Sequence, residues 1–436
     1  MNRDKGADLS GGPSAGAGSR PLNILCPTYW YPEHAADIHA TYVHDINRHL
    51  VMRGHRVRVV TPGGSGQAAR EQFDGVEVVR FPFALPEDLQ YGKVAQGLAR
   101  RPWQQLLRLM TMSRYLVAQR EWAIREGRDF GADVIHAHWA IPTGPAAIAA
   151  ARRLGVPSVI TMHGGDVYVN KEQGYDFPTR WYVKPILRWT LAHASALSAI
   201  TDDCRHHALR AGAADDKIHI ILNGADLKRF SPGAASAGGR DYGKQAVFAC
   251  RQLIPRKGIR FLIEAVAKLK DAFPAMRLVI AGDGFERPDL ERLASSLGIG
   301  DRTTFLGWVP NAELPPYYRS AAISVIPSLE EGFGIPAAEA MGCEIPVIAS
   351  DAGGLPEVVT DGMTGLVVPK GDADALAQAI ARLLGDPGLR ERFGKAGRED
   401  ALKRFSWDIA ARRFEQLYIS CLESRGSGSP AAGSAS

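Results

Sequence analysis

Glu330-Glu331-Gly332-Phe333-Gly334-Ile335-Pro336-Ala337-Ala338-Glu339-Ala340-Met341 is the stretch from which the rest of the chain is read. Pro336 suits the first position of a helix, and alanine-rich sequence follows it. Gly332 and Gly334 let the preceding loop bend and bring backbone N–H groups against a ligand. A loop that delivers N–H groups at a helix N-terminus is a phosphate cradle. Glu339 sits one turn into the helix and points back towards that end, where a carboxylate can accept both hydroxyls of a ribose. Glu331, eight residues earlier in the loop, would face whatever extends beyond the phosphates. The competing reading is two solvated glutamates around a helix start.

Working outward, a second cluster is Arg251 and Lys257 in CRQLIPRKG, between a strand and an amphipathic helix. Two cations at the carboxyl end of a strand are well placed for a diphosphate leaving group. Gly282-Asp283-Gly284 follows the strand-like RLVIA, but Arg287 stands where a dinucleotide fingerprint needs its third glycine. Gly282 is therefore read as a close backbone approach to a ligand rather than as part of a hydride-transfer site. Gly64–Ala69 (GSGQAA) formally fits such a fingerprint, but REQFDGVEVVRFP follows it and turns into a strand too soon.

Strand-like runs alternate with helical stretches over most of the chain. Pro21–Pro27, Arg56–Thr61, Asp133–His136 and Pro157–Met162 read as strands. Asp37–Arg53 and Pro142–Leu154 read as helices stopped by Gly54 and Gly155. A second series holds strands at Ala246–Cys250, Arg277–Ala281, Ile323–Ile326 and Pro346–Ala349, with helices at Gly258–Ala272 and from Pro336. This rhythm predicts an α/β fold with parallel sheets. The stretch Ser231–Arg240 (SPGAASAGGR) breaks it and marks a linker. The expected organisation is a disordered tail over 1–20, a first domain over 21–228, a linker over 229–244 and a second domain over 245–400. A last helix over 401–424 and a tail over 425–436 complete it. Two tandem α/β domains leave a cleft between them, a usual place for a ligand.

The 436 residues fit two or three domains at roughly 150 residues each. With 45% hydrophobic and 23% charged residues, the composition excludes a disordered chain. No apolar run is long enough to span a bilayer, and the first residues lack the apolar centre of a signal peptide. Five scattered cysteines fit reduced thiols, so a cytoplasmic protein is expected. A net charge of +5 is too small to imply nucleic acid. Seven arginines between Arg100 and Arg128, interleaved with Trp103, Met110, Tyr115 and Trp122, suggest either peripheral contact with an anionic membrane or a helix packed on its own domain.

His163, in TMHGGD, lies just past a strand end and suits a polar group projecting into a cleft. His136 and His138 share a strand face and with His163 could ligate zinc, but no carboxylate or cysteine completes a set, so no metal is expected. His34, His39, His44 and His49 recur every five residues, off any single helix face. Asp372 and Asp374 read as a helix cap rather than a metal motif.

Taken in order, these pieces resemble the family-4 retaining glycosyltransferases of the GT-B fold, over about residues 21–424. The resemblance is strongest in FACRQLIPRKG, LVIAGDG, FLGWVPNAELPPYYRSA, EGFGIPAAEAMGCEIPVIASDAGGLPEVV and DGMTGLVVP. It extends through RGHRVRVVTP, DVIHAHWAIPTG, ITMHGGDVY and ILNGADLKRFSP. It implies two Rossmann-like domains facing a cleft and transfer of a hexose from a nucleotide diphosphate sugar. The implied acceptor is a hydroxyl on a glycan or lipid-linked saccharide of the bacterial envelope, with no cofactor besides the donor. Glu331 and Glu339 then match the paired acidic residues on the donor sugar and ribose, and Arg251 and Lys257 the cations on the departing diphosphate. Gly334 and Ile335 match backbone contacts, Val309 the segment beside the base, and His163 the histidine facing the reacting sugar. The final segment FSWDIAARRFEQLYISCLES is similar to one that crosses back onto the first domain. One departure stands out: PTYWYPEHAADIHA has no glycine where the family carries a pair, and the Cβ atoms of His34, Ala35 and their neighbours restrict backbone approach. That motivates an alternative, a catalytically silent nucleotide-binding scaffold; a nucleotide-sugar epimerase on the same fold is a third reading.

Overall fold

A computed structural model describes residues 20–33, 40–63, 69–83, 102–168, 180–233 and 242–426, with backbone only for 102–109 and 426. The first half runs β1 (Asn23–Pro27), α1 (Thr41–Met52), β2 (Arg56–Pro62), β3 (Ala69–Phe73), β4 (Val76–Phe81), α2 (Pro102–Phe130), β5 (Val134–His138) and α3 (Thr143–Leu154). It continues through β6 (Ser158–Met162), α4 (Lys184–His193), β7 (Ala196–Ala199), α5 (Asp202–Arg210) and β8 (Ile218–Ile220). The second half runs β9 (Ala246–Cys250), α6 (Ile259–Lys268), β10 (Arg277–Ala281), α7 (Arg287–Ser296), β11 (Thr303–Gly307), α8 (Leu314–Ser320) and β12 (Ile323–Ile326). After these come α9 (Ile335–Gly342), β13 (Val347–Ser350), α10 (Leu355–Val358), β14 (Gly365–Val368), α11 (Ala373–Gly385), α12 (Pro387–Arg404) and α13 (Trp407–Gly426).

Among the described residues the strands form two sheets, ordered β3-β4-β2-β1-β5-β6-β7-β8 and β11-β10-β9-β12-β13-β14. Every pairing is parallel except β3 with β4. Central strands such as β1, β5 and β6 are buried on both faces because helices cover both. The stretch REQFDGVEVVRFP forms the β3–β4 hairpin, with its turn at Asp74-Gly75. It is a sheet edge and not the opening of a nucleotide-binding helix; Gly64–Ala68 lie outside the described residues.

Helix α2 buries Tyr115, Gln119, Ala123 and Glu126 against its own domain. Arg58 from β2 pairs with Glu126 and Asp129 on it, at 3.1 and 2.7 Å. Arg114, Arg120, Arg125 and Arg128 face outward, while Arg100 and Arg101 lie outside the described residues. Asp372 caps α11, its Oδ1 accepting from the N–H groups of Asp374 and Ala375.

The chain returns to the first sheet after α12. Ala225 N–H donates to the Phe405 carbonyl at 2.7 Å. From there α13 lies along α1, where Arg53 pairs with Glu415 at 2.6 Å. Tyr418 on α13 is fully buried, and its hydroxyl is hydrogen-bonded to His136 Nδ1 at 2.7 Å.

Candidate functional site

In both sheets the carboxyl ends of the strands meet at one cleft, and the second half supplies its charged wall. Arg251 follows β9, with its N–H bonded to the Ala281 carbonyl at 2.8 Å. Gly282 makes that register possible: at φ +137° it runs so close that a Cβ there would lie 1.8 Å from the Arg251 carbonyl oxygen. The structure thus gives Gly282 a packing duty behind Arg251. Lys257 ends the short turn Pro255–Lys257, and the Leu329 N–H donates to the Arg256 carbonyl at 2.8 Å, fixing the Glu331 loop beside that turn.

Glu331 is where the pieces meet. Its Oε2 accepts from Lys257 Nζ at 2.8 Å and Ser328 Oγ at 3.2 Å, and lies 3.1 Å from Arg251 Nη1. Burial by itself would raise the carboxyl; the Lys257 and Arg251 charges outweigh it and hold the group at about 2. Burial also draws Lys257 down to about 8, opposed by Glu331. Arg251 keeps two buried nitrogens, Nε and Nη2, without a partner among the described residues. Unpaired guanidinium donors at the carboxyl edge of a parallel sheet are receptors for an anion.

Gly334, at φ +91°, turns the chain into α9. A Cβ there would meet Leu355 Cδ2 at 2.5 Å, so the loop and the helix start are packed tightly together. Ile335 packs against the apolar cluster shared by the two halves and against one of the first half, and Val309 is buried in the shared one. Glu339 is buried and accepts from the Tyr318 hydroxyl at 2.8 Å. Burial pushes it up to about 7 against the lowering effect of Tyr318 and Arg251. Sequence reading gave Tyr318 and Ser328 no role; each is brought to its carboxylate by the fold.

The first half offers a neutral wall. His163 Nε2 and His138 Nδ1 are 2.8 Å apart, from the ends of neighbouring strands β6 and β5. Burial drives His163 down to about 3 and His138 well below its ordinary value, so both rings are neutral. His138 Nε2 and His163 Nδ1 are buried and unpartnered among the described residues. With one proton per ring and one shared bond, one free nitrogen is a donor and the other an acceptor. His136 is engaged by two hydroxyls, Tyr418 and Thr161, so the three imidazoles do not surround a common centre. Among the described residues no group of three or more His, Cys, Asp or Glu is placed to hold a metal ion.

Aromatic rings extend this wall. Trp139, at φ +67°, lies edge-on to Trp30 at 5.7 Å and 5.2 Å from the His163 ring, and Tyr42 lies 4.7 Å from His163. Trp30 belongs to the glycine-free loop; His34, Ala35 and His39 lie outside the described residues.

The two walls touch. A Cβ on Gly332 would lie 3.4 Å from the His163 carbonyl oxygen. Thr201 Oγ1 donates to the Gly332 carbonyl at 3.1 Å, and Glu357 accepts from the Asp202 and Asp203 N–H groups at 2.7 and 2.9 Å, where α5 begins.

Two family models cover both halves: glycosyl transferase 4-like domain over residues 39–224, and glycosyl transferases group 1 over 236–400. A D-inositol 3-phosphate glycosyltransferase of Kribbella flavida is 33% identical over 78% of this chain and 84% of its own length. The chain belongs to the group 1 glycosyltransferases. Another relative is the GDP-mannose-dependent α-(1-6)-phosphatidylinositol monomannoside mannosyltransferase of Mycolicibacterium smegmatis, 31% identical over 70% of this chain and 81% of its own. Among solved structures, sucrose-phosphate synthase of Thermosynechococcus elongatus superposes with a TM-score of 0.73. It is 26% identical, over 92% of this chain and all of its own. This glycosyltransferase therefore has the GT-B architecture expected from its sequence, and it transfers sugar.

Proposed function

We propose that the protein moves a hexose from a nucleotide diphosphate sugar to a hydroxyl of a glycan or lipid-linked saccharide of the bacterial envelope, with retention at the anomeric carbon. The observation that carries this reading is the convergence of Arg251 and Lys257 on one oxygen of Glu331, with two further Arg251 nitrogens unpartnered. A diphosphate entering here takes up those donors, and the two cations stabilise the charge that develops as the bond from C1 to the phosphate oxygen breaks. The acceptor hydroxyl attacks C1 from the same face, and its proton passes to the departing phosphate. Glu331 orients the sugar, and Glu339 takes the ribose hydroxyls. Gly334, Ile335 and Val309 line the nucleotide, and His163 faces the sugar from the neutral wall. The donor substrate is the sole small-molecule requirement in this reading.

The names of the relatives favour a phosphorylated cyclitol or a lipid-linked glycan as acceptor. No helix is long and apolar enough to cross a membrane among the described residues. A cytoplasmic enzyme meeting its acceptor at the membrane surface fits this. The test is to incubate purified protein with UDP-, GDP- and ADP-sugars plus bacterial lipid extract, following nucleotide release, labelled product and the anomeric configuration. Release with one donor and a product of unchanged configuration supports the reading. A donor that binds without turnover favours the scaffold, and epimers formed without acceptor favour the epimerase.

A further inference from the structure

Of the large apolar side chains exposed among the described residues, three fall within nine positions. They are Trp181 at 85%, Ile186 at 39% and Trp189 at 36%. They belong to α4 and the turn before it. Helix α4 buries Leu187, Thr190 and Leu191 against its domain, which leaves Ile186, Trp189 and His193 as an outward stripe at helical spacing. Lys184 and Arg188, one turn apart, flank that stripe and are exposed. Arg152 from the neighbouring α3 lies over the Trp189 ring at 5.3 Å, and Arg153 is exposed beside it.

The charges on the two helices themselves have one sign. Helices α3 and α4 together carry Arg152, Arg153, Lys184 and Arg188 and no carboxylate. Exposed tryptophan interleaved with unopposed lysine and arginine is the composition of a surface that sits at the lipid headgroup level. A soluble acidic partner would account for the cations and leave Trp181 bare. Position adds a further argument. A helix joining two parallel strands runs opposite to them, so Trp181 and Lys184, at the start of α4, lie at the carboxyl edge of the first sheet. His163 stands at the same edge, after β6.

We propose that the outward face of α4 with Trp181 docks on an anionic lipid surface and holds the mouth of the cleft against the membrane. This is a different surface from the arginine-rich α2, and the proposal does not depend on which sugar or acceptor the enzyme uses. The α2 arginines extend the positive field alongside.

Cosedimentation of the full-length protein with vesicles tests it, using phosphatidylcholine alone and phosphatidylcholine with about 30% phosphatidylglycerol. The expected result is binding to the anionic vesicles, weaker on plain phosphatidylcholine and falling as salt rises. Trp181→Ala with Trp189→Ala, and separately Lys184→Gln with Arg188→Gln, are each expected to lower anionic-vesicle binding roughly tenfold or more. These side chains are exposed, so thermal melts of the variants should match the parent; the charge pair stands as the test if the tryptophan pair does not fold. Three results overturn the proposal: no binding to anionic vesicles, binding that survives both double substitutions, or retention on soluble heparin without vesicle binding. Arg114→Gln with Arg120→Gln on α2 serves as the comparison, and a larger loss there than on α4 also overturns it.

Discussion

The two walls of the cleft remove the same electrostatic penalty by opposite means. In the second half, Glu331, Lys257 and Arg251 are buried with their charges kept, the carboxylate holding the two cations together. In the first half, His136, His138 and His163 are buried with their charges removed, joined to one another or to hydroxyls. A charged wall suits a ligand that brings its own anion, and a neutral wall with aromatic rings suits a hydroxylated sugar face. In the proposed reading the charged wall takes the diphosphate and the neutral wall faces the sugar.

The sharpest break in that comparison comes from the charged wall. Arg251→Ala removes the unpartnered donors and is expected to lower kcat/KM about a thousandfold, as loss of transition-state charge stabilisation does. A loss below tenfold in steady-state kinetics would contradict the role given to it. Next is Glu339. Its carboxyl is raised from 4.5 to about 7, chiefly by burial, so the folded state holds a proton that the unfolded state releases between those values. Stability therefore falls as pH rises through that window. Glu339→Gln should abolish the fall and stabilise the ligand-free protein above pH 7 by on the order of 3 kcal/mol, measured by denaturant unfolding across pH. It should also weaken nucleotide binding.

The neutral wall should respond more mildly. His138→Phe keeps a flat ring at the site but removes the nitrogen to which His163 Nε2 is bonded, and is expected to lower transfer about tenfold, near the worth of one buried hydrogen bond. Nucleotide affinity, read by calorimetry, should stay unchanged; a matching loss there would assign the pair a structural role. Because burial lowers both histidines, stability from this wall is present above pH 6.5 and is lost as pH falls towards about 3. The smallest effect is expected from Trp30→Ala. Trp30 is 41% exposed, so folding should be unaffected, while acceptor KM rises by a few fold.

The charged wall was the more legible of the two in the sequence. Lys257 and Glu331 stand beside glycines that shape their loops, Gly258 and Gly332, so the local pattern carries both the chemistry and the bend. Gly282 shows the limit: its pattern signalled a tight backbone approach, and only the fold tells that the neighbour is the Arg251 carbonyl. The neutral wall depends on strand pairing. His138 and His163 are 25 residues apart and meet because β5 pairs with β6, which spacing alone cannot announce. For the same reason spacing alone could not show that His136 is taken by Tyr418, from a helix at the far end of the chain. Tyr318 was equally hidden, since its partner Glu339 comes from a different helix.

The most direct test of this division is the Glu331→Ala enzyme, checked against Glu331→Gln, with kcat for transfer and Kd for the nucleotide diphosphate measured on one preparation. Removing the carboxylate leaves Lys257 and Arg251 to meet the diphosphate unopposed. The account predicts a drop in kcat of about a hundredfold or more, with nucleotide binding unchanged or tighter. A loss of nucleotide affinity equal to the loss of kcat would contradict it, because Glu331 would then serve the cations and not the sugar.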